Sequence, residues 1–258
     1  MLITLSPAKT LDFGPQKKTT QYTTPELLSE SRKLVRQLRK LSADDLGQLM
    51  KISDDLAAEN HRRYRAWKTP FTPENAKQAI LAFRGEVYVG LAADEFRAAG
   101  FRYAQKSLRI LSGLYGILKP LDLIQPYRLE MGTHLETDRG ANLYQFWGDR
   151  ITKCLNDALA ENKSTELVNL ASKEYFKAVG HKELQARVIT PSFKEERDGT
   201  LKMISFFAKT ARGRMASFAV QNRIDKAEDL KSFDWDGYRY EEDLSRENEW
   251  VFTRKSVK

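Results

Sequence analysis

The first apolar run, "LITLS" at residues 2–6, predicts a short buried strand, and "PAKTLDFGP" after it predicts a loop with Lys9 at its mouth. From there the spacing turns helical. Leu27, Leu28, Leu34, Val35, Leu38 and Leu41 trace one face, while Arg32, Lys33, Arg36, Arg39 and Lys40 fall mostly off it. Ser42 stands where the N-cap of a second helix, "ADDLGQLMKIS", belongs, and Asp44 and Asp45 suit the positive end of its dipole. A third helix is predicted from Ser53, with Leu56, Ala57, Asn60, Tyr64 and Trp67 at helical spacing and His61, Arg62, Arg63 and Arg65 on its other side.

In "KTPFTPENAKQ" Thr72 and Pro73 have the form of an N-cap and first-turn pair, "AILAF" is strand-like, and "GEVYVGLAA" predicts a turn and return. "LRILSG" fits a buried strand and the end of a helix equally, because a short apolar run does not decide by period alone. The second half alternates more clearly. A helix is predicted from about Asn142 to Ala160, then the strand "ELVNLA", the helix "SKEYFKAV" begun by Ser172, and the strand "ARVITPSF". Asp198 and Gly199 predict a hairpin turn whose second arm is "DGTLKMISFFA"; helical "KTARGRMASFAVQNRI" and a last strand, "EWVFTRK", follow. No repeat, Ser/Gly linker or low-complexity tract divides residues 1–258. The expectation is one compact mixed α/β domain with a central sheet, surrounding helices and an N-terminal helical region that could include a helix-hairpin-helix element, since "RKLVRQLRKLSADDLGQLMKIS" is a helical pair, though without a glycine loop.

Composition adds two points. Of 258 residues 41% are hydrophobic and 10% aromatic, enough for a substantial core, and the formal charge of +8 raises the prospect of a polyanionic partner if the cations cluster. A single cysteine, Cys154, cannot form an internal disulfide, no stretch approaches a membrane span, and "MLITLSPAK" lacks a basic region before its apolar run. A cytoplasmic protein is therefore expected. Cys154 stands beside the helical positions Ile151, Leu155, Ala158 and Leu159, so packing is its expected role. His61, His134 and His181 are scattered, which argues against a metal centre, and no phosphate-loop or dinucleotide fingerprint occurs, so no cofactor is expected.

Four segments carry candidate chemistry. "LSGLYGILKPLDLIQPYRLEMG", residues 111–132, packs glycines and prolines into an apolar stretch. As a helix-hairpin-helix turn it would offer Gly113 and Gly116 amides to a phosphate, supported by Arg109 and Lys119, with Tyr115 or Tyr127 stacking on an unpaired base. Its glycines are three apart where such hairpins usually place them two apart, and Pro120 and Pro126 would break a long second helix, so a packed strand-to-turn crossover is the competing reading. In "PYRLEMG" an extended backbone puts Arg128 and Glu130 on one face and Tyr127 and Leu129 on the other. "FFAKTARGRM" supplies Lys209, Arg212 and Arg214 without an acid among them, and "LASKEYFKAV" places Lys173, Glu174 and Lys177 just after a predicted strand.

Taken together, "LSPAKTLDF", "LRILSGLYGILKPLDLIQPYRLEMG", "LYQFWGD", "NLASKEYFKAV" and "ISFFAKTARGRM" resemble the YaaA family of bacterial peroxide stress resistance proteins over nearly the whole chain. The resemblance implies a cytoplasmic protein of the hydrogen peroxide response that limits oxidative damage by keeping unincorporated iron low. It also implies a single unusual α/β fold with a positive cleft, a helix-hairpin-helix element, and binding to duplex or distorted DNA. This chain has Ser217 where the family often has arginine. Phosphate contacts are expected from Lys9, Arg109, Lys119, Arg128, Lys173, Lys177, Lys209, Arg212 and Arg214. Two alternatives stand beside DNA binding. One is an enzyme acting on a nucleobase or nucleotide, with Asp122, Glu130 or Glu174 as acid or base beside Arg128; the other is direct iron sequestration.

Overall fold

In the computed structural model, which describes residues 1–180 and 182–255, β1 (Leu2–Leu5) is buried at every position, as a strand covered on both faces must be. After it come β2 (Thr10–Leu11) and three helices, α1 (Leu28–Leu38), α2 (Ala43–Met50) and α3 (Asp54–Ala66). The next stretch holds β3 (Lys77–Gln78), the single turn α4 (Ala79–Ala82), β4 (Phe83–Arg84), α5 (Glu86–Leu91) and α6 (Ala98–Ser107). Then follow β5 (Leu108–Ser112), β6 (Gly116–Leu118), β7 (Leu123–Ile124), α7 (Leu143–Trp147), α8 (Arg150–Glu161), β8 (Glu166–Asn169) and α9 (Lys173–Phe176). The chain closes with β9 (Arg187–Arg197), β10 (Thr200–Lys202), α10 (Ser205–Asn222), β11 (Arg239–Tyr240) and β12 (Glu249–Lys255).

The main sheet runs β11-β12-β9-β8-β1-β5-β6, with β10 folded back on β9. Its five inner strands, β12, β9, β8, β1 and β5, are mutually parallel, and the antiparallel pairings lie at its margins. From β1 the chain crosses to β5 on one side and later to β8 on the other. The connections therefore diverge at the carboxyl ends of β1 and β8, which opens a crevice there.

Several local expectations hold. Ser42 and Asp45 form a reciprocal capping box on α2, and Ser172 Oγ accepts the Tyr175 N–H at the start of α9. "LRILSG" is a strand. Others give way to packing. "AILAF" is a helical turn entering a two-residue strand, "GEVYVGLAA" is the helix α5, and Thr72 opens only a turn closed by Asn75. The helix expected over 142–160 is broken at Gly148, whose φ of 52° ends α7. α10 begins at Ser205, ahead of the predicted start, and uses residues assigned to the hairpin arm.

The glycine-rich turn is not helix-hairpin-helix. Gly113 and Gly116 lie in the turn of a β-hairpin, since β5 pairs antiparallel with β6 through Ile110–Leu118 and Ser112–Gly116. Gly116 takes φ of 70°, and a Cβ on it would lie 2.8 Å from the Trp147 ring, while a Cβ on Gly113 would overlap the Leu129 carbonyl oxygen. Ser112 Oγ accepts the Tyr115 N–H at 3.1 Å and shares a 2.6 Å hydrogen bond with the Tyr127 hydroxyl. These amides serve the core.

α5 and α10 cross at Gly90 and Gly213. A Cβ on Gly213 would overlap the Val87 carbonyl oxygen, and one on Gly90 would overlap the Thr210 carbonyl oxygen, so the two backbones touch. Gly213→Ala gains up to about 1 kcal/mol of helix propensity but must push the helices apart, at a cost of about 1–3 kcal/mol or more. Urea denaturation should show a net loss of stability, and an unchanged midpoint would contradict the contact.

Candidate functional site

The crevice at the ends of β1 and β8 is built by two loops that hydrogen-bond to each other. The Ser172 N–H donates to Ser6 Oγ at 2.8 Å, and Tyr88 of α5 donates its hydroxyl to the Ser6 carbonyl at 3.0 Å. Just below, Asn169 Oδ1 accepts from Thr4 Oγ1 at 3.2 Å and from the Ala171 N–H at 3.0 Å, locking strand to loop. Above these contacts lies a cavity of about 420 Å³ whose charged lining includes Lys9, Arg84, Glu130, Glu174, Lys209 and Arg212.

One wall is a strap, residues 127–132. Tyr127, Leu129 and Met131 are buried at 5%, 2% and 0% exposure while Arg128, Glu130 and Gly132 face outward, as the extended reading requires. Glu130 is held by both carboxylate oxygens, to Lys9 at 2.8 Å and to Arg128 at 3.4 Å. Glu174, from α9, accepts the Gly132 N–H on Oε1 at 2.9 Å and so ties strap to helix. Arg84 is held to Asp12 at 3.2 Å and Asp94 at 3.5 Å.

The other wall is α10. Lys209 and Arg212 lie three residues apart, Lys209 exposed and Arg212 largely covered. Among the described residues nothing hydrogen-bonds or ion-pairs with Arg212, and burial alone lowers its pKa from the ordinary guanidinium value. A cation withdrawn from water without a counter-anion is a costly arrangement, and a bound anion relieves it.

Other expected residues lie elsewhere. Arg109 is 4% exposed and donates to the carbonyls of Gln105, Lys106 and Leu108 at 3.1, 3.3 and 2.7 Å, so it caps the end of α6. Burial lowers its pKa too, but Asp122 and Glu161 oppose the shift. Lys119 follows β6, whose Leu118 pairs with Ile110 and leads toward the amino ends of the parallel strands, away from the crevice. Asp122 is buried, accepting from Thr23 Oγ1 at 2.6 Å and the Lys119 N–H at 2.7 Å; burial raises its pKa, and it closes a turn instead of lining the crevice.

Tyr115 and Tyr127 are core rings in edge-to-face contact, centroids 5.2 Å apart, and offer no face to a base. Lys173 is exposed on α9, Lys177 lies 4.9 Å over the Tyr144 ring, and Arg214 pairs with Asp236 at 3.4 Å. Ser217 is fully buried, so the position where an arginine was expected faces the core. Of the histidines, His61 is partly buried, His134 is exposed, and His181 lies outside the described residues. Among the described residues no group of three His, Cys, Asp or Glu converges to hold a metal, and no helix is long and apolar enough to cross a membrane.

Sequence reasoning missed Ser6 and Arg84. Ser6 meets Ser172 across 166 residues, a pairing without local signature, whereas Arg84 stands before Gly85 at the end of an apolar run, a signal that was legible. A larger cavity of about 720 Å³, bordered by Phe13, Gln16, Asn75 and Gln78, has one cation in its wall, Lys77, already bound to the Gly14 carbonyl at 2.9 Å.

The family model described as peroxide stress protein YaaA matches residues 1–244. Peroxide oxidises thiolates, which makes Cys154 a direct test of how such chemistry could reach this chain. Its thiol is 7% exposed and pushed up to about 12 by burial and by Glu26 beside it, leaving almost no thiolate at neutral pH. Folded protein should resist both thiol reagents and micromolar peroxide at Cys154, and become reactive only in denaturant. Rapid labelling of the native chain would contradict that placement.

Proposed function

From the premise that this chain belongs to the peroxide stress protein YaaA family, we propose that it serves the hydrogen peroxide response by binding DNA, duplex or distorted, through the crevice at the ends of β1 and β8. The observation that carries this reading is the Arg212 guanidinium, which has no partner among the described residues and lines one cavity with Lys209 and Lys9 where the strand order reverses. Phosphate is an anion that such a pair of cations, one exposed and one desolvated, engages through charge-assisted hydrogen bonds. Arg109, Lys119 and the Gly113–Gly116 turn have no part in this contact, because the fold uses them internally or at the far end of the sheet. The grip is therefore local to the crevice.

A second reading, an enzyme acting on a nucleobase or nucleotide, is favoured by Glu130 and Glu174 lining the same cavity as the cations. Direct iron sequestration is carried by no observation among the described residues.

Fluorescence anisotropy with a labelled oligonucleotide duplex tests the binding reading. Affinity should fall steeply with salt, and Lys209→Ala and Arg212→Met should each weaken binding and lower the salt slope by about one. Lys119→Ala should leave both unchanged. Affinity that is flat between low and moderate salt would overturn the proposal.

A further inference from the structure

We propose that the crevice receives one nucleotide at a time, with its phosphate on Lys209 and Arg212 and its base against the Glu174 side, and not a continuous run of duplex backbone. This rests on the DNA reading for the source of the nucleotide and names what the site itself recognises. Three observations support it.

First, the charge is confined. Among the described residues the free cations of the cavity are on α10, Lys9 is spent on Glu130 and Arg84 on Asp12 and Asp94, and the segment from Arg109 to Lys119 is buried or leads to the other end of the sheet. A duplex groove would need cations spaced along a track, whereas about 420 Å³ falls in the range of a small-molecule pocket and suits one nucleotide.

Second, outside α10 and the paired Arg84 the lining offers a second phosphate no open cation among the described residues. Lys9 is spent on Glu130, and the carboxylates without a cation partner there, Glu86 and Glu174, are negative. Glu130 has both oxygens engaged, by Lys9 and Arg128. Glu174 has only Oε1 engaged, by the Gly132 N–H; Oε2 has no partner among the described residues. A carboxylate oxygen is an acceptor, so its complement is a donor: the edge of a base carries N–H donors and a sugar carries hydroxyls, and the comparison of dCMP with deoxyribose 5-phosphate separates the two.

Third, part of the lining is apolar. Pro7, Ala8, Val87 and Tyr175 line the same cavity, and a base needs such surface for its faces once it leaves the stack. Cations for a phosphate, apolar surface for a base and an open carboxylate acceptor line one cavity.

Calorimetric titration of the full chain with dCMP, deoxyribose 5-phosphate and inorganic phosphate, each also competed against a labelled oligonucleotide, tests the inference. The base should contribute roughly 5- to 100-fold, the range of a stacked and hydrogen-bonded base, so dCMP binds more tightly than deoxyribose 5-phosphate and displaces the oligonucleotide. Lys209→Ala, at an exposed side chain that leaves the core intact, should weaken both nucleotide and sugar phosphate. Glu174→Gln should weaken dCMP alone. A purely structural role for Glu174 would move both ligands together and overturn the assignment of the base. Equal binding of dCMP and inorganic phosphate, or salt-dependent DNA binding that millimolar dCMP does not displace, would overturn the inference and leave the DNA reading standing. Binding of dCMP without any binding of DNA would support the one-nucleotide site and overturn DNA as its source.

Discussion

The contact of two helix backbones at Gly90 and Gly213 decides where the cationic wall stands. With any side chain at either glycine, α10 would ride about an ångström or more higher on α5, and Lys209 and Arg212 would move away from Lys9 and the strap. The contact is possible because both residues lack a Cβ, and it costs some helix propensity at each. α5 in turn is anchored to the β1 loop by the Tyr88–Ser6 hydrogen bond, and that loop to β8 by Ser6–Ser172. Sheet, loops and both helices thus form one rigid frame around the crevice.

Within this frame the protein treats similar groups in opposite ways. Arg109 and Arg212 are both withdrawn from water, yet Arg109 donates to three carbonyls and feels the carboxylates of Asp122 and Glu161, while Arg212 has no such compensation among the described residues. The first is part of the fold's own hydrogen-bond satisfaction. The second is an unmet demand, which is how binding groups differ from structural ones. The carboxylates divide likewise: Asp122 closes a turn and Glu130 holds two cations, but Glu174 keeps one oxygen without a partner among the described residues, beside the cavity.

Where chemistry was legible in the sequence, a short-range rule carried it. The two-residue alternation of Tyr127 to Gly132 places Arg128 and Glu130 on the outer face, the three-residue spacing of Lys209 and Arg212 puts both on one wall, and Ser172 marks a helix start after a strand. Arg109 and Lys119 were misleading because a charged residue's address depends on which end of a parallel sheet it occupies, and strand order is invisible to local spacing. The same holds for the glycine turn: three glycines and two prolines announce an irregular path, but only Trp147 and Leu129 packed against it show that the path is interior.

By itself, then, the sequence determined the mixed α/β class, the starts of α2, α3, α7 and α9, the strap's two faces and the family to which the chain is matched, because periodicity, caps and ordered motifs act over a few residues at a time. Tertiary structure alone decided that β1 lies between β5 and β8, that Ser6 meets Ser172, and that two glycines bring α10 over the crevice. These are choices among pairings more than a hundred residues apart, set by burial of the whole apolar surface and by close backbone approach, and no short window of sequence encodes either.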